Sequence, residues 1–425
     1  MALWALFGMK VKMLINQLLY SYEEILDKFD IGKLTYKPAS EVAQEMLTKM
    51  ELKKASPAPP KALEGQSLWY LIKSVKPVDI YCYLNARFGP PNGMQMHFKA
   101  NDSDNLFQWH YTLHYEEERI EVMCTNYRIE VIHSFVFPDH QFAVDQFLLD
   151  IKKDYQNYKK EISDFRTTLE KWNIFVNPFF HNKSVMEYQV NALDELKVDS
   201  LSDVPETITE DNQQYFNEIA IKYTQATALA FSIRMLAPVY AESFVNTLIF
   251  LLADDDVKKD KRLYDSIIRQ NIDIRVKQLH RNCNGFEFPV DYNNAEVCKK
   301  LHTIFNNRND LLHGNIDPKK SVYDTFYFQG KTPLPLEFKN MFTQAHSASM
   351  NVYSPDQALH DYEVVQDFIA YVLLCLNEEV DKQVRHFLKT QDPGWNDKTG
   401  RVGILFPQHY ADSSFGISIP ITKSS

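Results

Sequence analysis

The spacing of apolar positions changes twice along this chain, and each change marks a new kind of element. Over residues 11–30 and 39–53 apolar side chains recur every three to four positions, which predicts two amphipathic helices, the second introduced by Pro38 and Ser40. Ala55 to Pro60 carries three prolines and reads as a stiff connector. From Asp79 to Phe137 the period falls to two. Ile80–Leu84, Met94–Phe98, Phe107–Tyr115, Ile120–Met123 and Tyr127–Phe137 read as an antiparallel meander, with turns at Gly89–Gly93 and Asn101–Asp104. A long charged helix, about Gln141 to Trp172, closes the unit.

Leu196 to Asp211 is acidic, rich in Ser, Thr and Pro and without period, and is taken as the domain boundary. The pattern after it is helical. Asn217–Leu236 forms one helix, and Pro238 at a first helical position restarts another that runs to Ala253. A third follows Asp254–Asp256 and reaches about His280. A fourth, Ala295–His313, can be capped by Asn293 or Asn294 and stopped by Gly314. A fifth starts at Ser354-Pro355 and reaches about Leu388, and Ser321–Gly330 between the last two looks like strand. The expectation is an α+β protein. An N-terminal antiparallel β-meander with helices (1–195) recognises or regulates. A C-terminal antiparallel helical bundle (205–390) carries an insertion at 315–353, and a tail (391–425) has no clear role. No internal repeat is visible.

Bulk properties narrow the class. With 425 residues, 45% hydrophobic and 13% aromatic, the chain can bury a large core and is not generally disordered. Cys82, Cys124, Cys283, Cys298 and Cys375 lie far apart, which fits reduced thiols in a cytoplasm better than a disulfide framework. The apolar opening Met1–Gly8 is short and followed by Lys10 and Lys12, so no secretory leader is expected. Ala241–Ala253 is the greasiest run, but it includes Glu242 and Asn246 and is too short to span a bilayer, so no membrane partner is expected. A net charge of −10 argues against indiscriminate coating of nucleic acid. The charge is uneven, however: Val257–Lys320 has thirteen Lys or Arg against eight Asp or Glu.

That positive stretch holds the candidate chemistry. On the fourth helix Val297, Leu301, Ile304, Phe305 and Leu312 share a face with Arg308. A guanidinium on a buried stripe needs a partner, and Glu242, set among Val239, Phe244 and Leu248, is the best candidate. Such a pair would tie two helices together; as a clamp alone it would be purely structural. His313 lies five residues on, about 140° round the helix, so one copy cannot easily aim both groups at one atom. Two copies meeting across a two-fold axis can. One imidazole would take the proton of a ribose 2′-hydroxyl and the other protonate the leaving 5′-oxygen, with the arginines holding the phosphorane charge and Asn309 orienting the phosphate or the His.

Other patterns carry less. Arg128–His133 has the same spacing on a strand. Arg275–His280 has it on a helix but lacks the following polar residue and the glycine stop. His110 and His114 share a strand face without a third zinc ligand near in sequence, which leaves cross-strand packing as the simpler reading. Glycine-rich phosphate loops and nucleophilic cysteine arrangements are missing from the sequence.

Phe305-Asn-Asn-Arg-Asn-Asp-Leu-Leu-His-Gly314 resembles the signature of the HEPN superfamily: an Arg, a polar residue, a few positions, then His, often with an aromatic before and Gly after. Ala241–Leu248 is similar to the family's earlier helix, in which an acidic residue faces the motif Arg. The likeness covers about Gln213 to Leu388 in helix order and some fifteen residues in detail, and it is nearest the abortive-infection, ApeA-like variants. It implies a helical bundle, a homodimer and metal-independent RNA cleavage to a 2′,3′-cyclic phosphate, without a cofactor. Arg308, His313 and Asn309 would be the catalytic residues, supported by Glu242 and Asp310. It implies a role in bacterial defence or as a toxin, with an antitoxin or phage-derived trigger as partner. The alternative is a non-catalytic dimerisation, nucleotide-binding or protein-binding module. The insertion after the motif departs from a minimal bundle and would either occlude or help shape the cleft.

Overall fold

The computed structural model describes residues 22–28, 30–55, 67–71, 75–99, 105–116, 118–125, 128–133, 140–198, 209–314, 318, 322–338, 346, 348–350 and 352–405. They form a mixed helical and antiparallel-sheet protein of the α+β class, in two units. One ends at Trp172 and the other spans Asn173–Trp395, with short stretches beyond 395 assigned to each.

The first unit contains α1 (Tyr22–Lys28), β1 (Thr35–Tyr36), α2 (Ala39–Ala55), β2 (Ser67–Leu71), α3 (Pro77–Phe88), β3 (Phe107–Tyr115), β4 (Glu118–Thr125), β5 (Ile129–His133), α4 (His140–Asp154) and α5 (Lys159–Thr168). The expected meander is present as β3-β4-β5, with β1 and β2 added at its edges in the order β1-β3-β4-β5-β2. Strand alternation sends Tyr111 and Leu113, with Ile120, Val122 and Val131, into a core shared with Tyr83, Leu84 and Phe147. The opposite face of β3 is polar and still buried. His110 Nε2 lies 2.8 Å from Glu121 Oε2, the Thr112 hydroxyl donates to the same oxygen at 2.6 Å, and His114 Nε2 stands 3.4 Å from Glu45. The two histidines thus serve separate carboxylates.

Two expected strands are helical. Ile80–Leu84 lies inside α3, where Pro77 occupies the first turn and Ile80, Tyr83 and Leu84 form an i, i+3, i+4 buried stripe. A continuous apolar run suits either period, and the packing surface selects the helix. Met94–His97 is a single 3-10 turn. The long helix expected to Trp172 breaks into α4, a 3-10 turn at Tyr155–Tyr158, and α5. The helix expected at 11–30 is described only from Tyr22. The connector beyond Ala55 and the turn at Asn101–Asp104 lie outside the described residues.

The second unit starts with β6 (Asn173–Ile174) and α6 (Pro178–Glu195), and is built around α7 (Gln213–Leu252). It continues through α8 (Asp255–Lys259), α9 (Lys261–Ile268), α10 (Ile272–Asn282) and α11 (Glu296–His313). The hairpin β7 (Phe326–Gln329) and β8 (Thr332–Pro335) precedes α12 (Pro355–Leu374) and α13 (Glu378–Leu388), and β9 (Gly394–Asn396) and β10 (Arg401–Gly403) end it. The division between units therefore falls before α6 rather than within 196–211. The reason is packing: Phe179, Met186 and Leu193 of α6 belong to the core built on α7.

Pro238 does not restart a helix. It is buried inside the single 40-residue α7, about 60 Å long. Ala226, Ala230, Ile233, Ala237, Ala241 and Phe244 make α7 part of the same core as α6 and α12, and this burial offsets the roughly 3 kcal/mol that an interior proline costs. Length is thus no bar to spanning a bilayer, since Glu210–Leu252 is long and apolar enough by length and composition; 56% of its most apolar window is buried in the fold. Arg234 of α7 donates to Asp361 of α12 at 3.1 Å, and Gln357 donates to the other carboxylate oxygen at 2.8 Å.

The expected third helix is three, α8 to α10, because the Asp260 side chain caps α9 by accepting from the Arg262 and Leu263 amides. The fifth helix likewise divides, with Asn377 capping α13. α11 begins after Ala295, with no side-chain cap from Asn293 or Asn294. Its end is as expected: Gly314 takes a left-handed conformation at φ 60° and donates its N–H to the Asp310 and Leu311 carbonyls. Within the insertion, the β7–β8 hairpin is exposed at every residue.

Candidate active site

α11 buries Cys298, Leu301, Ile304 and Phe305, then outruns its packing surface. Leu312, expected on the buried face, is 56% exposed, and His313 and Gly314 are exposed with it. Arg308 stands at the transition, half-buried. Its Nη1 donates to the Asn309 side-chain oxygen at 3.1 Å, and its Nε is buried with no hydrogen-bond partner. Among the described residues no carboxylate forms an ion pair with Arg308.

The expected Arg308–Glu242 pair is not formed, because another arginine takes the acid. Ile272, Arg275, Val276 and Leu279 are the buried stripe of α10, and this stripe brings the Arg275 guanidinium to α7. Its Nη2 donates to Glu242 Oε1 at 2.6 Å and its Nη1 to Asn246 Oδ1 at 2.7 Å. Glu242 and Asn246 are one turn apart on α7, so a single fork spans both. The partner of Arg275 in the rival spacing, His280, is exposed.

Arg308 and Glu242 nevertheless face the same space. A cleft of about 560 Å³ is lined by Glu242 and Asn246 of α7, Arg269 after α9, Asp273 and Arg275 of α10, and His302, Phe305, Arg308 and Asn309 of α11. Three guanidinium groups meet two carboxylates there. Glu242 is engaged by Arg275, and Asp273 is shared with Lys277 at 3.3 Å. The balance favours an anion beside Arg308.

His313 is not part of that wall. The cleft's own imidazole is His302, which lies edge-on to Tyr292. Burial pushes the Tyr292 hydroxyl up to about 12, so it stays protonated, and it lies within hydrogen-bonding distance of His302 Nδ1 at 3.4 Å. Of the cleft residues named above, five were not singled out as site residues in the sequence: Asn246, Arg269, Asp273, Arg275 and His302. Asn246 could have been found from its four-residue offset to Glu242, and His302 from its seven-residue offset to Asn309, since both spacings return to one helical face. Arg275 was visible only as part of the rival motif.

Asp310 contributes its backbone carbonyl to the Gly314 stop. Comparison with protein-family models, curated proteins and solved structures gives no match to this chain.

Proposed function

We propose that the helical unit is a metal-independent endoribonuclease of the HEPN type, acting as a homodimer in bacterial defence or as a toxin. The observation that carries this reading is the state of the motif residues. Arg308 has no acid partner among the described residues and lines a cation-rich cleft, while His313 stands in solvent at the end of the same helix. A core histidine or a neutralised arginine would have removed it.

In this reading two α11 ends meet, and each supplies an Arg and a His. One His313 takes the proton of the ribose 2′-hydroxyl as its oxygen attacks phosphorus. The other protonates the 5′-oxygen as the P–O5′ bond breaks, leaving a 2′,3′-cyclic phosphate and a 5′-hydroxyl. Arg308 stabilises the phosphorane, and Asn309, whose side-chain oxygen accepts from Arg308, holds the fork in place. Glu242 acts at one remove by fixing Arg275 at the cleft wall. The first unit is the recognition or regulatory part, answering to an antitoxin or a phage-derived trigger, in the cytoplasm.

The test is a gel of total RNA after controlled expression, with end analysis of the fragments. Wild type should give 2′,3′-cyclic phosphate ends, and Arg308→Ala and His313→Ala should each abolish cleavage while remaining folded. Cleavage by either variant removes the assignment, and loss of wild-type cleavage in EDTA points to a metal nuclease. A protein that dimerises without cutting any RNA is a binding module instead.

A further inference from the structure

Beside the charged cleft lies a second hollow of about 400 Å³, and the two share Glu242, Asn246 and Ile268 as a common wall. Its character is different. Phe175, Phe250, Tyr264, Val239 and Phe387 make it largely apolar, and Phe175 meets Phe250 edge-to-face at 5.6 Å. Val239, at its rim, is 36% exposed. We propose that this hollow receives one unstacked nucleobase of single-stranded RNA, whose phosphate lies among Arg269, Arg275 and Arg308. The idea rests on the nuclease reading above and names how that site takes its substrate.

Three observations support this occupant over an apolar peptide segment. The volume lies in the range of small-ligand sites, and its aromatic lining suits any base, since every base has a π-face. The adjoining cleft carries three guanidinium groups, and the shared wall of Glu242, Asn246 and Ile268 sets it next to the apolar hollow, so a base in one has its phosphate's place in the other. The shared wall also offers paired polarity. Arg275 can only donate, so Asn246 must turn Oδ1 toward it, which directs Nδ2 away as a donor with no partner among the described residues. Glu242 binds Arg275 through Oε1, leaving Oε2 as an acceptor. A donor and an acceptor side by side match the edge of a splayed-out base. An apolar peptide would use neither these groups nor the guanidinium cluster.

The experiment uses the full chain in the His313→Ala background, so that RNA stays intact. A short single-stranded RNA with one 2-aminopurine is titrated beside the same strand with an abasic site at that position. The 2-aminopurine emission should change on binding, and the abasic strand should bind about tenfold or more weakly. Val239→Trp, which fills the rim, should abolish that discrimination while leaving salt-dependent binding to the guanidinium groups. Equal binding of the two strands, or discrimination that survives Val239→Trp, overturns the base subsite but leaves the nuclease standing. Absence of any RNA binding overturns both.

Discussion

The Glu242 carboxylate lies 2.6 Å from the Arg275 guanidinium, whose side chain is only 6% exposed, while the acid itself is 32% exposed. The pair is asymmetric: the cation depends on the acid more than the acid depends on the cation. Glu242→Ala strands a buried guanidinium and should destabilise the protein by about 3 kcal/mol, at the lower end for broken buried pairs because water reaches the acid's side. Glu242→Gln keeps an acceptor and should cost clearly less. Urea unfolding of the three proteins decides it, and equal midpoints for Ala and Gln would refute the argument.

Asp361 is 2% exposed and holds Arg234 of α7. Asp361→Ala should cost about 3–5 kcal/mol, the largest loss among single ion-pair deletions outside the cleft, read as a lowered urea midpoint at unchanged m-value.

Two left-handed glycines should respond unequally. A Cβ on Gly314 would have nothing within 4 Å, so Gly314→Ala costs only the backbone conformation, about 1 kcal/mol. A Cβ on Gly285, at φ 88°, would stand 2.7 Å from a Val380 methyl. Gly285→Ala adds overpacking to the same strain and should cost about 1–3 kcal/mol more. Thermal melts of the two variants check the order. Hydrogen exchange should show the Gly314 effect confined to the last turn of α11, where His313 sits.

Acid should weaken the first unit in two stages. Desolvation, with Lys37 nearby, holds the His114 imidazole below its ordinary 6.5. The unfolded chain then takes up a proton that the folded one refuses, so stability present above pH 6.5 falls as pH drops toward the folded value. Glu121 is opposed by burial, but its bonds from His110 and Thr112 keep it below its ordinary 4.5, so a second loss begins under pH 4.5. Stability measured against pH should rise with pH in the first window, by no more than about 1.4 kcal/mol per unit for the single proton involved. His114→Leu should flatten that window and leave the lower one. A profile unchanged by His114→Leu would contradict the assignment.

All five cysteines are buried and unpaired as disulfides. Burial raises their thiols, Cys124 and Cys298 to about 11 and Cys283 to about 12. A thiol reagent at pH 8 should therefore label the native protein slowly and the urea-unfolded protein at once. Rapid labelling of native protein would place a thiol in solvent.

The legibility of the sequence differs between elements for physical reasons. Period-two alternation found β3, β4 and β5 because their two faces differ in polarity. It failed at Ile80–Leu84, where apolar residues run together and both periods fit. Punctuation worked at Gly314, whose conformation only the glycine makes cheap, and failed at Pro238, where tertiary burial outweighs a local penalty. For the cleft, periodicity correctly set Glu242 and Arg308 toward a common space. It could not show that α10 delivers a second arginine between them, since which helices become neighbours is decided by packing over the whole unit.

α7 carries Arg234, Glu242 and Asn246 on one continuous helix, eight and then four residues apart. A rod of that length behaves as a beam, and burial along its flank, Pro238 included, leaves it little freedom with which to retune one end. Adaptation of this cavity to new ligands is therefore left to the shorter helices opposite, where a changed side chain at Arg269, His302 or Asn309 can redraw the opening without disturbing the keel.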